Sequence, residues 1–320
     1  MIIDESAFFK HFNVRKETIQ KWHNKVGFSS SPFKGFKMPD PRLYVEHSEF
    51  LDEMVDIIIT NERHIFLRGP IGIGKSTLML LALRDLPNLT DRRGREFVVG
   101  YVGMTGLYEK QMAAAIANAL RIKYKRSWES QQIIDEIAKV TLKRYIEENK
   151  RSVLFIEDVA DNQENSFHKL RYLADLPSQE MIDEYHIDEP IITLVMSGTP
   201  EYWSAMVNFL PQIADRTEPL DVPPMNVDQT KEFIGRRIYY ARGDLDNFDP
   251  NDYDLYPFEV EAVEVLHDAA KGVPRDIRML GRACEQLAAE NYKNTNDPVI
   301  SQKIAELVAE AYQSIFEEVK

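Results

Sequence analysis

The sequence predicts an α/β lobe built on a parallel sheet with helices on both faces, followed by an all-helical lobe. Up to about residue 222, short apolar runs alternate with longer stretches of helical periodicity, the pattern of parallel strands joined by crossover helices. Pro223 and Pro224 then interrupt the chain, and beyond them apolar residues recur only at helical spacing. No internal repeat is present.

The elements follow in order. Residues 1–28 contain FFKHFNVRKETIQKWHNKVGF, which reads as two short helices around NVRK with Phe8, Phe9, Phe12, Ile19, Trp22 and Val26 apolar. The pattern is similar to a helix-turn-helix, whose second helix would offer Lys21 and Lys25 to a groove. So short a segment lacks a complete core of its own, so docking on a partner or a neighbouring subunit is the competing expectation. Residues 29–222 carry the expected strands at 64–69, 96–104, 152–158, 191–198 and 218–222. Residues 223–320 are the helical lobe, opened by Asn226 with Gln229 three positions on, the signature of a capping box. In the last helix Ile304, Leu307, Val308, Ala311, Tyr312 and Ile315 follow the spacing expected of one buried face.

Composition bounds the function. A chain of 320 residues with 44% hydrophobic content can bury more than one core. Its net charge of −13 argues against indiscriminate coating of nucleic acid. The charge is uneven: residues 1–39 hold seven basic against three acidic residues, about +4, leaving about −17 for the remainder. No apolar run reaches the roughly 18 residues of a membrane span, and the start lacks a secretory pattern, so a soluble cytoplasmic chain is expected. The lone Cys284 excludes a disulfide framework, argues against a zinc site and reads as a small buried hydrophobe.

The strongest chemical signal is GPIGIGKST, Gly69 to Thr77, which satisfies G-x-x-x-x-G-K-[ST] between an expected strand and an expected helix. Gly69, Gly72 and Gly74 let backbone N–H groups turn toward phosphate, and the helix start at Lys75, Ser76 and Thr77 favours negative charge. Lys75 would reach the β- and γ-phosphates of ATP, and Ser76 would ligate Mg2+. The strand VLFIED then ends in Glu157 and Asp158, about 80 residues later, where carboxylates would hold the metal through its water shell and orient an attacking water.

In these motifs the chain resembles AAA+ ATPases over about residues 30–310, and most the branch of ORC-type initiators, TnsC and MuB transposition regulators and ExeA-type ATPases. The resemblance implies an AAA+ sheet with a helical lid, and a position beside the phosphate-loop strand for IITLVMSG. It makes Ser197 to Thr199 the sensor 1 segment. It makes Arg216, in LPQIADRTEPLDV, a finger reaching a neighbouring subunit's nucleotide, and Arg275, in KGVPRDIRMLGRA, the sensor 2 arginine facing the γ-phosphate. Arg278 and Arg282 are expected on a solvated helix face.

The family usually reads Asp then Glu where this chain has Glu157 then Asp158. The metal-side carboxylate has gained a methylene and the water-orienting one has lost it, so slow or partner-dependent hydrolysis is expected. Asp161 and Glu164 are alternative water-orienting groups.

For nucleic acid, RIKYKR offers Arg121, Lys123, Lys125 and Arg126 with Tyr124 and Trp128 as stacking groups, in the region where TnsC-like proteins line a DNA channel. A second basic turn is DRRGRE, residues 91–96. With the helical lobe running to Lys320, a carboxy-terminal winged helix of the kind typical of ORC-type initiators is not expected, which favours the expectation of a TnsC- or MuB-like regulator. The expected function is an ATP- and Mg2+-binding ATPase that forms a homo-oligomeric ring or filament on double-stranded DNA and signals to a recombinase, transposase or other effector. A STAND-like or defence switch without DNA and an ExeA-type remodelling ATPase are the alternatives.

Overall fold

The computed structural model describes residues 8–9, 12–35, 40–45, 48–60, 63–157, 164–187 and 189–318. The chain divides into two compact units, one of residues 47–70 and 74–222, the other of residues 1–46, 71–73 and 223–320.

The first of these holds β1 (His64–Arg68), β2 (Glu96–Gly103), β3 (Lys150–Glu157), β4 (Ile192–Gly198) and β5 (Thr217–Asp221) in one sheet of order β2-β3-β4-β1-β5. Every pairing is parallel. The strands sit close to their expected bounds because apolar β-branched runs bounded by turn residues leave little choice of register. The central β4 is buried along its whole length. At the edge, β5 tolerates Pro219, which lacks an N–H to donate to a further strand. Between sheet and helices, Phe66, Leu154, Ile156, Leu194 and Met196 meet Met112, Ile116, Ile133 and Ile137 in one core.

One feature of β3 escapes apolar patterning. Arg151, 0% exposed, lies in the strand. It donates to the Ile58 carbonyl, lies over the Phe97 ring and pairs with Asp91 at 3.5 Å. The expected strand began at Ser152, two residues after the observed start, because a charge is a poor strand signal, yet these partners make the burial of Arg151 possible.

In the other unit the helix Lys16–Val26 packs on helix Pro274–Thr295. Trp22 donates to the Pro298 carbonyl at 2.9 Å, His23 contacts Glu285, and Ser31 donates to Glu285 at 2.6 Å. Trp22, Val26, Phe28 and Phe33 share a core with Ile277, Leu280, Cys284 and Val308, so the amino-terminal residues obtain the core they cannot form alone. Lys21 and Lys25 stay exposed. Of residues 7–12 the structure describes Phe8, Phe9 and Phe12, and Phe8 packs edge-on against Tyr312.

Asn226 opens the helix Val227–Arg242 with the expected reciprocal box, each partner bonding the other's backbone at 2.8 Å. The last helix, Gln302–Glu318, departs from expectation: Leu307 is exposed, while Ala305 and Ala309 are buried with Ile304, Val308 and Tyr312. At about 100° per residue the buried stripe centres near Tyr312, and Leu307 falls on the opposite flank. Among the described residues no helix is long and apolar enough to cross a membrane.

Candidate nucleotide-binding site

The phosphate loop joins β1 to the helix Lys75–Asp85. Gly69 donates to the Gly198 carbonyl at 3.3 Å, which ties the loop's start to the end of β4. Gly72 and Gly74 have φ of +88° and +111°, a region other residues enter only with strain. Gly74 precedes the helix without a side-chain cap, so the N–H groups of the first turn keep their capacity for an anion. Lys75 is 9% exposed, and its ammonium curls back on the loop to donate to the Gly69 and Pro70 carbonyls at 2.7 and 2.9 Å.

Ser76 donates to Oε1 of Glu157, the last residue of β3, and Tyr101 donates to Oε2 of the same carboxylate. The structure therefore brings together two of the expected metal-side groups, Ser76 and Glu157, and adds a tyrosine that sequence reasoning missed. In sequence Tyr101 is one more aromatic in an apolar strand. Its role depends on the β2–β3 register, in which Gly103 pairs with Glu157 and Tyr101 lies two residues back on the same face. Ser197, near the end of β4, is 1% exposed, and its hydroxyl has no hydrogen-bond partner among the described residues. Asp158 and Asp161 lie outside the described residues, as does the side chain of Glu164.

These donors fit Mg2+ bound with a nucleotide. They are hard oxygens, Ser76 and Glu157 already meet, and the orphaned Ser197 hydroxyl is a polar atom in want of a partner. Among the described residues no group of three or more His, Cys, Asp or Glu could hold a metal ion by itself.

Arg216 sits at the other end of the sheet. Its carbonyl accepts from His64 N–H at 2.9 Å, at the start of β1, whereas the phosphate loop follows the strand's end. The five-residue strand separates the two by about 16 Å. The Arg216 side chain is 59% exposed and pairs with Asp175 at 2.7 Å. It lines a cavity of about 520 Å3 with Arg63, Arg171, Asp175 and Gln212. Beneath it His64 accepts from Leu194 N–H through Nδ1, so its Nε2 carries the proton donated to the Ala174 carbonyl. Burial lowers its pKa to about 4, assisted by Arg216 and opposed by the Ala174 bond and Asp175.

Arg275 belongs to the helical unit, with which Gly72 is grouped; its N–H donates to the Gly72 carbonyl at 3.3 Å, and a Cβ on Gly72 would lie 2.5 Å from its own. Arg282 is exposed over the Phe9 ring at 4.7 Å, while Arg278 is half-buried. Arg121, Lys123, Lys125 and Arg126 are all exposed between helices Glu109–Ala119 and Ser130–Glu147. The expected stacking groups differ: Tyr124 and Trp128 lean on the core, and Lys125 covers the Trp128 ring at 5.8 Å. In the 91–96 turn, Arg93 and Arg95 are turned onto Glu189 at 3.4 and 2.8 Å.

No protein-family model matches the chain, and no curated protein sequence matches it. Solved structures do. ORC2 of Aeropyrum pernix in its ADP form superposes with a TM-score of 0.59 at 14% identity, over 89% of this chain and 73% of that one. Cdc6p of Pyrobaculum aerophilum gives 0.56 at 15%, over 84% and 67%. A Walker-type ATPase of Pyrococcus abyssi gives 0.52 at 11%, over 90% and 77%. Identities this low speak to architecture alone: the chain has the fold of the ORC/Cdc6 AAA+ ATPases, a five-stranded parallel sheet with flanking helices and a carboxy-terminal helical lid.

Proposed function

We propose that this chain is an AAA+ ATPase that binds ATP with Mg2+, hydrolyses it slowly, and assembles with it into a ring or filament on DNA to regulate a recombination, transposition or replication partner. The observation that carries the reading is the meeting of an uncapped phosphate-loop helix with the Ser76–Glu157 pair. Lys75 would exchange its two carbonyl partners for β- and γ-phosphate oxygens, the first helical turn would face the phosphates, and Ser76 and Glu157 would hold the ion. The ion would neutralise charge developing on the phosphates. Asp158 would orient the water, and Ser197 would bond the γ-phosphate or that water.

ORC2 of Aeropyrum pernix has also been solved in ADPNP–ADP complexes, and Drosophila ORC, with a TM-score of 0.54, bound to DNA. Assembly is supported by the position of Arg216, exposed and about 16 Å from its own phosphate loop, where a finger could act only on a neighbour. DNA binding is supported by the exposed cations of 121–126. Arg275 is the sensor 2 candidate.

Sedimentation of the protein with ADP or a slowly hydrolysed ATP analogue, each with and without duplex DNA, tests the reading. Large assemblies that need both the analogue and DNA, and vanish in Lys75→Ala, are expected. Assembly indifferent to DNA would favour a signalling switch, and an unchanged nucleotide affinity in Lys75→Ala would remove the site assignment.

A further inference from the structure

Glu157 ends β3 one methylene longer than the aspartate that the resemblance leads one to expect, so its carboxylate has an additional rotatable bond and a wider sweep. In the structure that freedom is taken up at both oxygens. Oε1 accepts from Ser76, the metal-side hydroxyl, and Oε2 accepts from the phenol of Tyr101. The phenol reaches it across the β2–β3 pair: Tyr101 stands opposite Phe155 and Gly103 opposite Glu157, so Tyr101 and Glu157 are diagonal neighbours on one face, within reach of a long aromatic side chain. Gly103, directly opposite Glu157, has no side chain to intervene, and open space surrounds its Cβ position.

We propose that Tyr101 is the positioning residue for the metal-side carboxylate: its hydroxyl holds Oε2 of Glu157 so that Oε1 stays on Ser76, where the nucleotide's Mg2+ would be received. The proposal rests on the nucleotide reading above. It makes Tyr101 and Glu157 a matched pair. The longer carboxylate meets Ser76 and the phenol together; an aspartate at 157 would be too short to keep both, and a phenylalanine at 101 would leave the longer carboxylate free to swing.

The test is nucleotide affinity of the full chain, read with a fluorescent ATP analogue, titrated with Mg2+ and separately in excess chelator, for wild type, Tyr101→Phe, Glu157→Asp and the double variant. A hydrogen bond to a charged group is being removed, so Tyr101→Phe should raise the Mg2+ concentration for half-maximal tightening roughly ten-fold. Affinity in chelator should not change, and the unfolding temperature, which reports on the retained ring, should stay near that of wild type. In the Glu157→Asp background the same substitution should have little further effect, because the shorter carboxylate no longer reaches the phenol. Wild-type Mg2+ dependence that Tyr101→Phe leaves unmoved overturns the proposal alone, as does an equal loss in Mg2+ and in chelator, which would mark a packing role. Wild-type protein that binds no nucleotide in either condition overturns the reading of the site and the proposal with it.

Discussion

His64, which starts β1, and Lys75, which opens the helix after it, were unequally legible. Lys75 and Ser76 belong to nine consecutive residues, Gly69 to Thr77, whose spacing alone matches a phosphate-binding motif and supports the proposed site. His64 says nothing in sequence; its state depends on Leu194 and Ala174, brought to it by the sheet and its neighbours. The folded protein holds this imidazole neutral down to about pH 4, while an unfolded chain protonates it near the ordinary 6.5. The unfolded state therefore binds the extra proton between those values. His64's contribution, about 3 kcal/mol, is fully present above pH 6.5 and lost as pH falls toward 4. Denaturant unfolding at a series of pH values should show that loss in wild type and a flatter profile in His64→Gln. Equal slopes would place the acid sensitivity elsewhere.

At the scale of elements, caps and strands were readable, and buried charge was not. The Asn226–Gln229 box is a local device, so its letters suffice; Asn226→Ala should cost about 1 kcal/mol in chemical denaturation, and Asn226→Asp should recover most of it. Arg151 is the opposite case, since its partners Asp91 and Ile58 come from elsewhere in the chain. Burial pulls its pKa down to about 10, against the attraction of Asp91 and Glu189. Removing Asp91 alone leaves that guanidinium buried without its carboxylate, and also removes the acceptor for the Arg93 and Arg95 N–H groups at 2.9 Å. Asp91→Ala should therefore destabilise by about 3–5 kcal/mol, and Arg151→Met by less, because an apolar replacement needs no partner. The reverse order would place the weight on the Arg151 contacts with Ile58 and Phe97 instead of on its pairing with Asp91. Leu307 marks the limit of periodicity: a stripe states that a face is buried, but its centre depends on what packs against it.

For the whole molecule the expectations concern neighbours. Arg216→Ala should leave the nucleotide affinity of the single chain unchanged and reduce ATP-dependent assembly or cooperative turnover, measured by sedimentation and by the dependence of hydrolysis on protein concentration. A normal oligomer with normal turnover would exclude it as a finger. Reversing the charges at Arg121, Lys123, Lys125 and Arg126 should weaken duplex binding and flatten its salt dependence by up to about 0.9 log units per lost phosphate contact, with ATP affinity intact. Binding that survives at moderate salt would make those residues a solvated loop.

The sequence by itself determined the alternation of strands and helices, the phosphate loop, the carboxylate that ends β3 and the cap that opens the helical lobe, because each is written in neighbouring residues or a fixed period. The tertiary structure decided which strands adjoin, that Tyr101 meets Glu157, that Arg151 and His64 can be buried, that the amino-terminal helix shares a core with the carboxy-terminal helices, and that Leu307 faces outward. Those outcomes depend on contacts between residues far apart in the chain, whose free energy is set by burial and by the partners the fold supplies.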